Sequence, residues 1–136
     1  MIAVEEAARI LDDNFAAWVR AGGIEVEATA DDGATLIIRF SSDLCRVGGI
    51  LCGQAMISAA DTAMVIALAS AQGGMRPMTT VDLTVNYMRP VKDEDARVAA
   101  TVKRLGRTLA FCTAEIAGVA TGKPAAFATG TYAILQ

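Results

Sequence analysis

The sequence predicts an α+β fold in which one long α-helix lies across a sheet of antiparallel strands. Three observations predict it. The run Cys52 to Ala71 contains no Pro and no Gly after Gly53, and Ala, Met and Leu, strong helix formers, make up much of it. Segments on both sides of that run alternate apolar and polar residues and are closed by turn signals such as Asp31-Asp32-Gly33, as half-buried hairpin strands do. The length of 136 residues suits one domain, residues 1–136, large enough for a real core.

Taken in order, Val4 to Val19 reads as a first helix. Ala7, Ala8, Ile10, Leu11, Phe15, Trp18 and Val19 recur at three and four, and Gly22-Gly23 ends it. Ile24 to Thr29 is a strand, and Ala34 to Phe40 is its hairpin return. Ser41 to Leu51, with Gly48-Gly49, is a loop. The long helix follows and closes near Gly73-Gly74. Met78 to Met88 is a strand whose alternation puts Val81, Leu83, Val85 and Tyr87 on one face and Thr80, Asp82, Thr84 and Asn86 on the other. Arg89-Pro90 breaks it. Asp95 to Leu105 and Thr108 to Ala117 turn at Gly106-Arg107, and Ala125 to Leu135 is the final strand.

Composition bounds the function. The apolar fraction of 54% is high for a chain this small, which points to apolar surface buried between subunits and hence to a homo-oligomer. The long helix carries Gln54, Ser58, Asp61 and Thr62, which argues against a membrane span. Glu5 and Glu6 near the start argue against a signal peptide. Three cysteines, Cys45, Cys52 and Cys112, have no metal-ligand spacing and fit a reducing cytoplasm. A net charge of −3 argues against a nucleic-acid partner. The chain has no histidine, which removes histidine acid–base catalysis, His-containing triads and His-ligated zinc. No metal and no cofactor is expected.

Asp61 is the one ionisable group in the apolar helix, and a carboxylate there needs a partner or a task. It is a candidate base or nucleophile; the structural alternative is a bond to a nearby hydroxyl or Arg. Gly53 sits where the first helical amides have no intrahelical partner, a place suited to an oxyanion. The two residues lie roughly 12 Å apart along the axis at 1.5 Å per residue. A reacting carbonyl must be about 3 Å from both its donor and its attacker. One helix cannot supply both groups to one carbonyl, whereas two antiparallel copies can. If both act, the active unit is a dimer with shared sites.

Ala59-Ala60-Asp61-Thr62-Ala63, the strand Thr80 to Val91 with its Arg89-Pro90 corner, and the turn Gly106-Arg107 together resemble the hotdog-fold acyl-CoA thioesterases, specifically the phenylacetate-pathway (PaaI-like) branch. The likeness covers nearly the whole chain after about residue 24. That branch shows a His-Gly-Gly nine residues before its catalytic Asp; here Cys52-Gly53-Gln54 occupies that place, and Arg46 stands where an Asn is often found. The resemblance implies a hotdog fold, an antiparallel sheet wrapped around the central helix. It implies an acyl-CoA substrate, with Asp61 as general base or nucleophile, the Gly53 amide as oxyanion donor, and Thr80, or Thr79 by register, orienting water.

Cys52 and Gln54 stand at the helix start, where either could meet substrate; no base accompanies the Cys52 thiol, and a free cysteine is usually a small buried hydrophobe. Met56, Met64 and Met75 read as core or as an acyl pocket. The anionic end of coenzyme A calls for a basic patch, for which Arg89 and the group Lys103, Arg104 and Arg107 are the candidates. The assembly expected is a dimer, with a dimer of dimers beyond it. The reading from another class is a catalytically weak hotdog protein that binds acyl-CoA or acyl carrier protein.

Overall fold

Six strands form one antiparallel sheet in the order β1-β2-β6-β7-β8-β5. The computed structural model describes residues 1–135. The strands are β1 (Ile24–Ala30), β2 (Gly33–Ile38), β5 (Met78–Tyr87), β6 (Ala96–Leu105), β7 (Leu109–Gly118) and β8 (Pro124–Ile134). The long helix α3 (Gly53–Ala71) lies across one face, so the expected α+β arrangement of a sheet around a central helix is the one found. By length and apolarity α3 would pass for a membrane span, but 67% of an 18-residue stretch of it is buried inside this fold.

Small side chains let helix and sheet approach closely. Ala59, Ala60, Ala63 and Ala67 of α3 are buried, as are Ala100 of β6, Ala110 and Ala114 of β7 and Ala128 of β8. In β7 every second residue from Ala110 to Ile116 is buried, the alternation expected of a sheet with one face on a core. Gly130 of β8 fits the same logic, because a methyl group there would lie 2.9 Å from the ring of Tyr132 and 3.0 Å from Met64.

Three local expectations need correction. The first helix does not run unbroken from Val4 to Val19. It splits into α1 (Val4–Asn14) and the single turn α2 (Ala17–Arg20), with Phe15 extended between them at φ −103° and ψ 149°. The Asn14 side chain donates to the carbonyl of Ile10, 3.0 Å away, and closes α1. The stretch Ser41 to Leu51 is not only loop. It contains a 3-10 turn (Ser42–Leu44) and a small hairpin of β3 (Cys45–Arg46) and β4 (Ile50–Leu51), whose tip uses Gly48 and Gly49 at positive φ.

The third correction concerns β5. Its register against β8 slips between Thr80 and Asp82, so Val81 is an extra residue in a β-bulge. Alternation therefore does not run straight through the strand. Thr80 shares the helix-facing side with Leu83, while Val81 is 58% exposed.

Candidate active site

Asp61 occupies the third turn of α3, half-buried, on the side that faces β5 and β8. Two hydroxyls hold one of its carboxylate oxygens. Tyr132 donates to Oδ1 at 2.7 Å, and Thr80 donates to the same atom at 3.2 Å. Oδ2 accepts no hydrogen bond among the described residues. Asp61 is thus fixed through one oxygen, and it lines a cleft with Phe15, Val65, Met75 and Met78.

Tyr132 is fully buried, with a hydroxyl pushed far above its ordinary range by burial and by the Asp61 charge and hydrogen bond. It stays protonated and acts as a donor. The chain reading did not find it. Its signal was present, because Tyr132 is the one bulky polar side chain on the inward parity of β8, among Ala126, Ala128, Gly130 and Ile134. A phenol placed there needs an acceptor, and Asp61 supplies it.

At the other end of the site, Gly53 opens α3 and its carbonyl accepts from Tyr87 at 2.8 Å. A side-chain carbon at Gly53 would have the Tyr87 ring as its nearest neighbour, at 3.4 Å, an ordinary contact. Cys52 is the N-cap: its Sγ accepts from the amide of Ala55 at 3.4 Å. The sulfur therefore serves a free amide of the first turn, as a Ser or Asp side chain does in other helices. Gln54, exposed beside it, lines the cleft on the α2 side of the helix.

Thr80 and Asp61 are brought together; Thr79 faces the opposite side of the strand and makes no hydrogen bond to Asp61. Gly53 and Asp61 remain eight residues apart on one helix, so within one chain they do not converge on a single point. The basic residues divide. Arg89, at the Gly53 end, donates to the Pro124 carbonyl at 2.7 Å. Lys103 and Arg104 end β6, and Arg107 lines a hollow with Gln72 and Arg76 at the far end of α3. Met56 and Met64 are core residues, whereas Met75 borders the Asp61 cleft. No group of three or more His, Cys, Asp or Glu side chains that could hold a metal occurs among the described residues.

The sequence model of the thioesterase superfamily matches residues 48–119, from the hairpin before α3 to the end of β7. The chain belongs to the thioesterase superfamily. This superfamily member is 36% identical over 76 residues to acyl-coenzyme A thioesterase 13 of Homo sapiens, an overlap of 55% of this chain and 54% of that protein. It thus spans about half the length of the curated relatives it matches. A conserved protein of Pseudomonas aeruginosa, 29% identical, superposes with a TM-score of 0.82 over 89% of this chain and 95% of that one. Zebrafish thioesterase superfamily member 2, 25% identical, gives 0.87 over 99% and 100%. The fold is the hotdog fold that the motifs around Asp61 led us to expect.

Proposed function

We propose that this thioesterase-superfamily member hydrolyses an acyl- or aryl-CoA thioester to free acid and CoA. The observation that carries the reading is Asp61, held through Oδ1 by two hydroxyls and lining a cleft, with Oδ2 accepting no hydrogen bond among the described residues. The name of the human relative supports the substrate class. Asp61 acts on the thioester carbonyl, either by removing a proton from the attacking water or by attacking the carbonyl itself. Tyr132 and Thr80 fix its orientation, so little reorganisation accompanies attack. Thr80 spends its one hydrogen on Oδ1, and its lone pairs remain to receive a hydrogen from water. The Gly53 amide stabilises the oxyanion.

Because Gly53 and Asp61 of one chain cannot meet, each site takes its oxyanion donor from Gly53 of the partner subunit. The active unit is a dimer, which assembles further as a dimer of dimers in the cytoplasm. β5 supports this reading: it pairs only with β8 among the described residues, leaving its other edge open. The phosphates of CoA are met by Arg89 and by Lys103, Arg104 and Arg107, brought from different chains. The mechanism and substrate class follow the PaaI-like branch, with Cys52 capping the helix where that branch has histidine.

The test is complementation. Asp61→Asn removes the base, and Gly53→Pro removes the amide N–H at the first helical position, where proline is tolerated. Each variant alone should be inactive on a panel of acyl-CoA thioesters followed by thiol release. An equal mixture refolded together should recover about a quarter of wild-type activity, since half the dimers carry one intact site of two. Verified mixed dimers without activity would refute the shared site. Wild-type protein that binds CoA thioesters without turnover would instead leave the binding-module reading.

A further inference from the structure

The chain enters α3 tied down residue by residue. The Leu51 amide donates to the Val91 carbonyl at 2.9 Å, just past the Arg89-Pro90 corner, and the Cys52 amide donates to the Leu44 carbonyl at 3.0 Å. The Gly53 carbonyl accepts from the Tyr87 hydroxyl at 2.8 Å. The Ala55 amide is taken by the Cys52 sulfur and the Met56 amide by the Cys52 carbonyl. In this first turn the amides of Gly53 and Gln54 make no hydrogen bond among the described residues. Tyr87 is the tie that packing does not require. It ends β5 opposite Ala126, on the inward side shared with Leu83 and Val85, and so reaches the start of the helix. It is 49% exposed, and a phenylalanine would cover the same surface. Burial of the rest of the ring, and the Cys52 sulfur near it, raise its hydroxyl above the ordinary 10.0, so it keeps the proton it donates.

We propose that Tyr87 is a positioning residue whose hydroxyl holds Gly53, so that its N–H keeps one direction; this role rests on the reading of the Gly53 amide as oxyanion donor. Glycine has more backbone freedom than any other residue. A donor placed on glycine therefore gets no help from a side chain of its own. Oxyanion donors stabilise a transition state because they are aimed before charge develops. The bonds at Cys52 fix the peptide before Gly53, and the Tyr87 bond fixes the peptide after it. The same bond polarises that second peptide, whose N–H belongs to Gln54, and makes it a stronger donor beside the first. A carbonyl has two lone pairs, so Tyr87 displaces no helical bond. Where the two halves of a site come from different chains, Tyr87 acts on a thioester held by Asp61 of the partner subunit.

Tyr87→Phe keeps the ring and removes the tie. Its kcat on acyl-CoA thioesters should fall about tenfold, less than loss of the donor itself, with KM within about twofold of wild type. Mixed dimers separate this role from a general loosening. Added to the Asp61→Asn chain, which supplies Gly53 to the one working site, Tyr87→Phe should lower the recovered activity by the same factor. Added to the Gly53→Pro chain, it should cost nothing. Equal losses in the two arrangements would overturn the assignment, and so would an unchanged kcat in the single variant. A readout free of turnover is the infrared carbonyl stretch of acetyl-CoA and benzoyl-CoA, isotopically labelled at the thioester carbonyl and bound to Asp61→Asn protein. Oxyanion donors pull that band to lower frequency. Gly53→Pro should abolish the displacement, and Tyr87→Phe should reduce it. A displacement that Gly53→Pro abolishes and Tyr87→Phe leaves whole counts against Tyr87 while the thioesterase reading stands. Protein that hydrolyses no thioester, yet shows a displacement reduced by Tyr87→Phe, refutes the thioesterase reading and keeps Tyr87 as the residue that holds Gly53.

Discussion

The two long sides of α3 meet the sheet through different chemistry. Toward β1 and β2 the helix presents the stripe Ala59, Ala63, Ile66 and Ser70, all buried; Ala59 faces Ile24 and Ile38, and Ser70 donates to the Ala30 carbonyl at 2.5 Å. Toward β5 and β8 it presents Asp61 and Val65 to Met78, Thr80 and Tyr132. On the first side every polar group is satisfied and hydrocarbon fills the rest. On the second, one carboxylate oxygen accepts no hydrogen bond among the described residues. One helix therefore divides its labour between an anchor and a working face.

Opposite substitutions should separate the two faces. Asp61→Asn should lower kcat by on the order of 10²–10⁴, yet shift Tm by only a few degrees, because the amide oxygen still accepts from Tyr132. Ile66→Ala, on the anchoring face, should cost about 2–5 kcal/mol in urea unfolding, with kcat per folded molecule within about twofold of wild type. If both variants lose activity and stability together, the division is wrong. Tyr132→Phe sits on the boundary, since its ring packs in the core and its hydroxyl serves Asp61. It should cost about 1–3 kcal/mol and reduce kcat roughly tenfold, more than Thr80→Val, whose bond to Oδ1 is longer and exposed.

The smallest effect is a pH dependence of the core. Burial pushes the Cys112 thiol from 9.0 up to about 12. The folded protein thus keeps this proton after an unfolded chain has lost it. The contribution is whole below pH 9 and is lost as the pH climbs toward 12. Tyr132, raised above its ordinary 10.0 by burial, acts in the same direction. Denaturation midpoints measured between pH 7 and 11 should fall in the upper part of that range. Cys112→Ala should flatten the fall; a midpoint independent of pH would contradict it.

Much of this division was legible in the chain. Helix α3 stood out by composition to within a residue of its start, and Asp61 by being the one ionisable group in an apolar run. The strands emerged from alternation and turn residues to within a residue or two at most ends. What period counting could not supply was a change of period. The bulge at Val81 moves Thr80 to the helix side although the sequence alternates smoothly through it. The split at Phe15 interrupts a helical pattern that reads as continuous to Val19, because Phe15 is drawn into the cleft beside Asp61 rather than onto the helix stripe. Tyr132 escaped notice for another reason. A tyrosine in a strand-forming segment has an ordinary explanation in β propensity, and only its pairing with Asp61, 71 residues away in sequence, gives it another.

The bulge has a last consequence, for how this site can be lost. On the strand that flanks Asp61, facing is set by a count of residues as much as by their identity. Thr80 and Leu83, three residues apart, share the helix-facing side only because Val81 is bulged; were the strand to pair regularly through Val81, either Thr80 or the row beginning at Leu83 would have to turn outward. A strand that kept every side chain named here but lost the bulge could leave Asp61 short of a hydroxyl. Relatives that align well in composition can therefore differ in activity through the pairing of one strand.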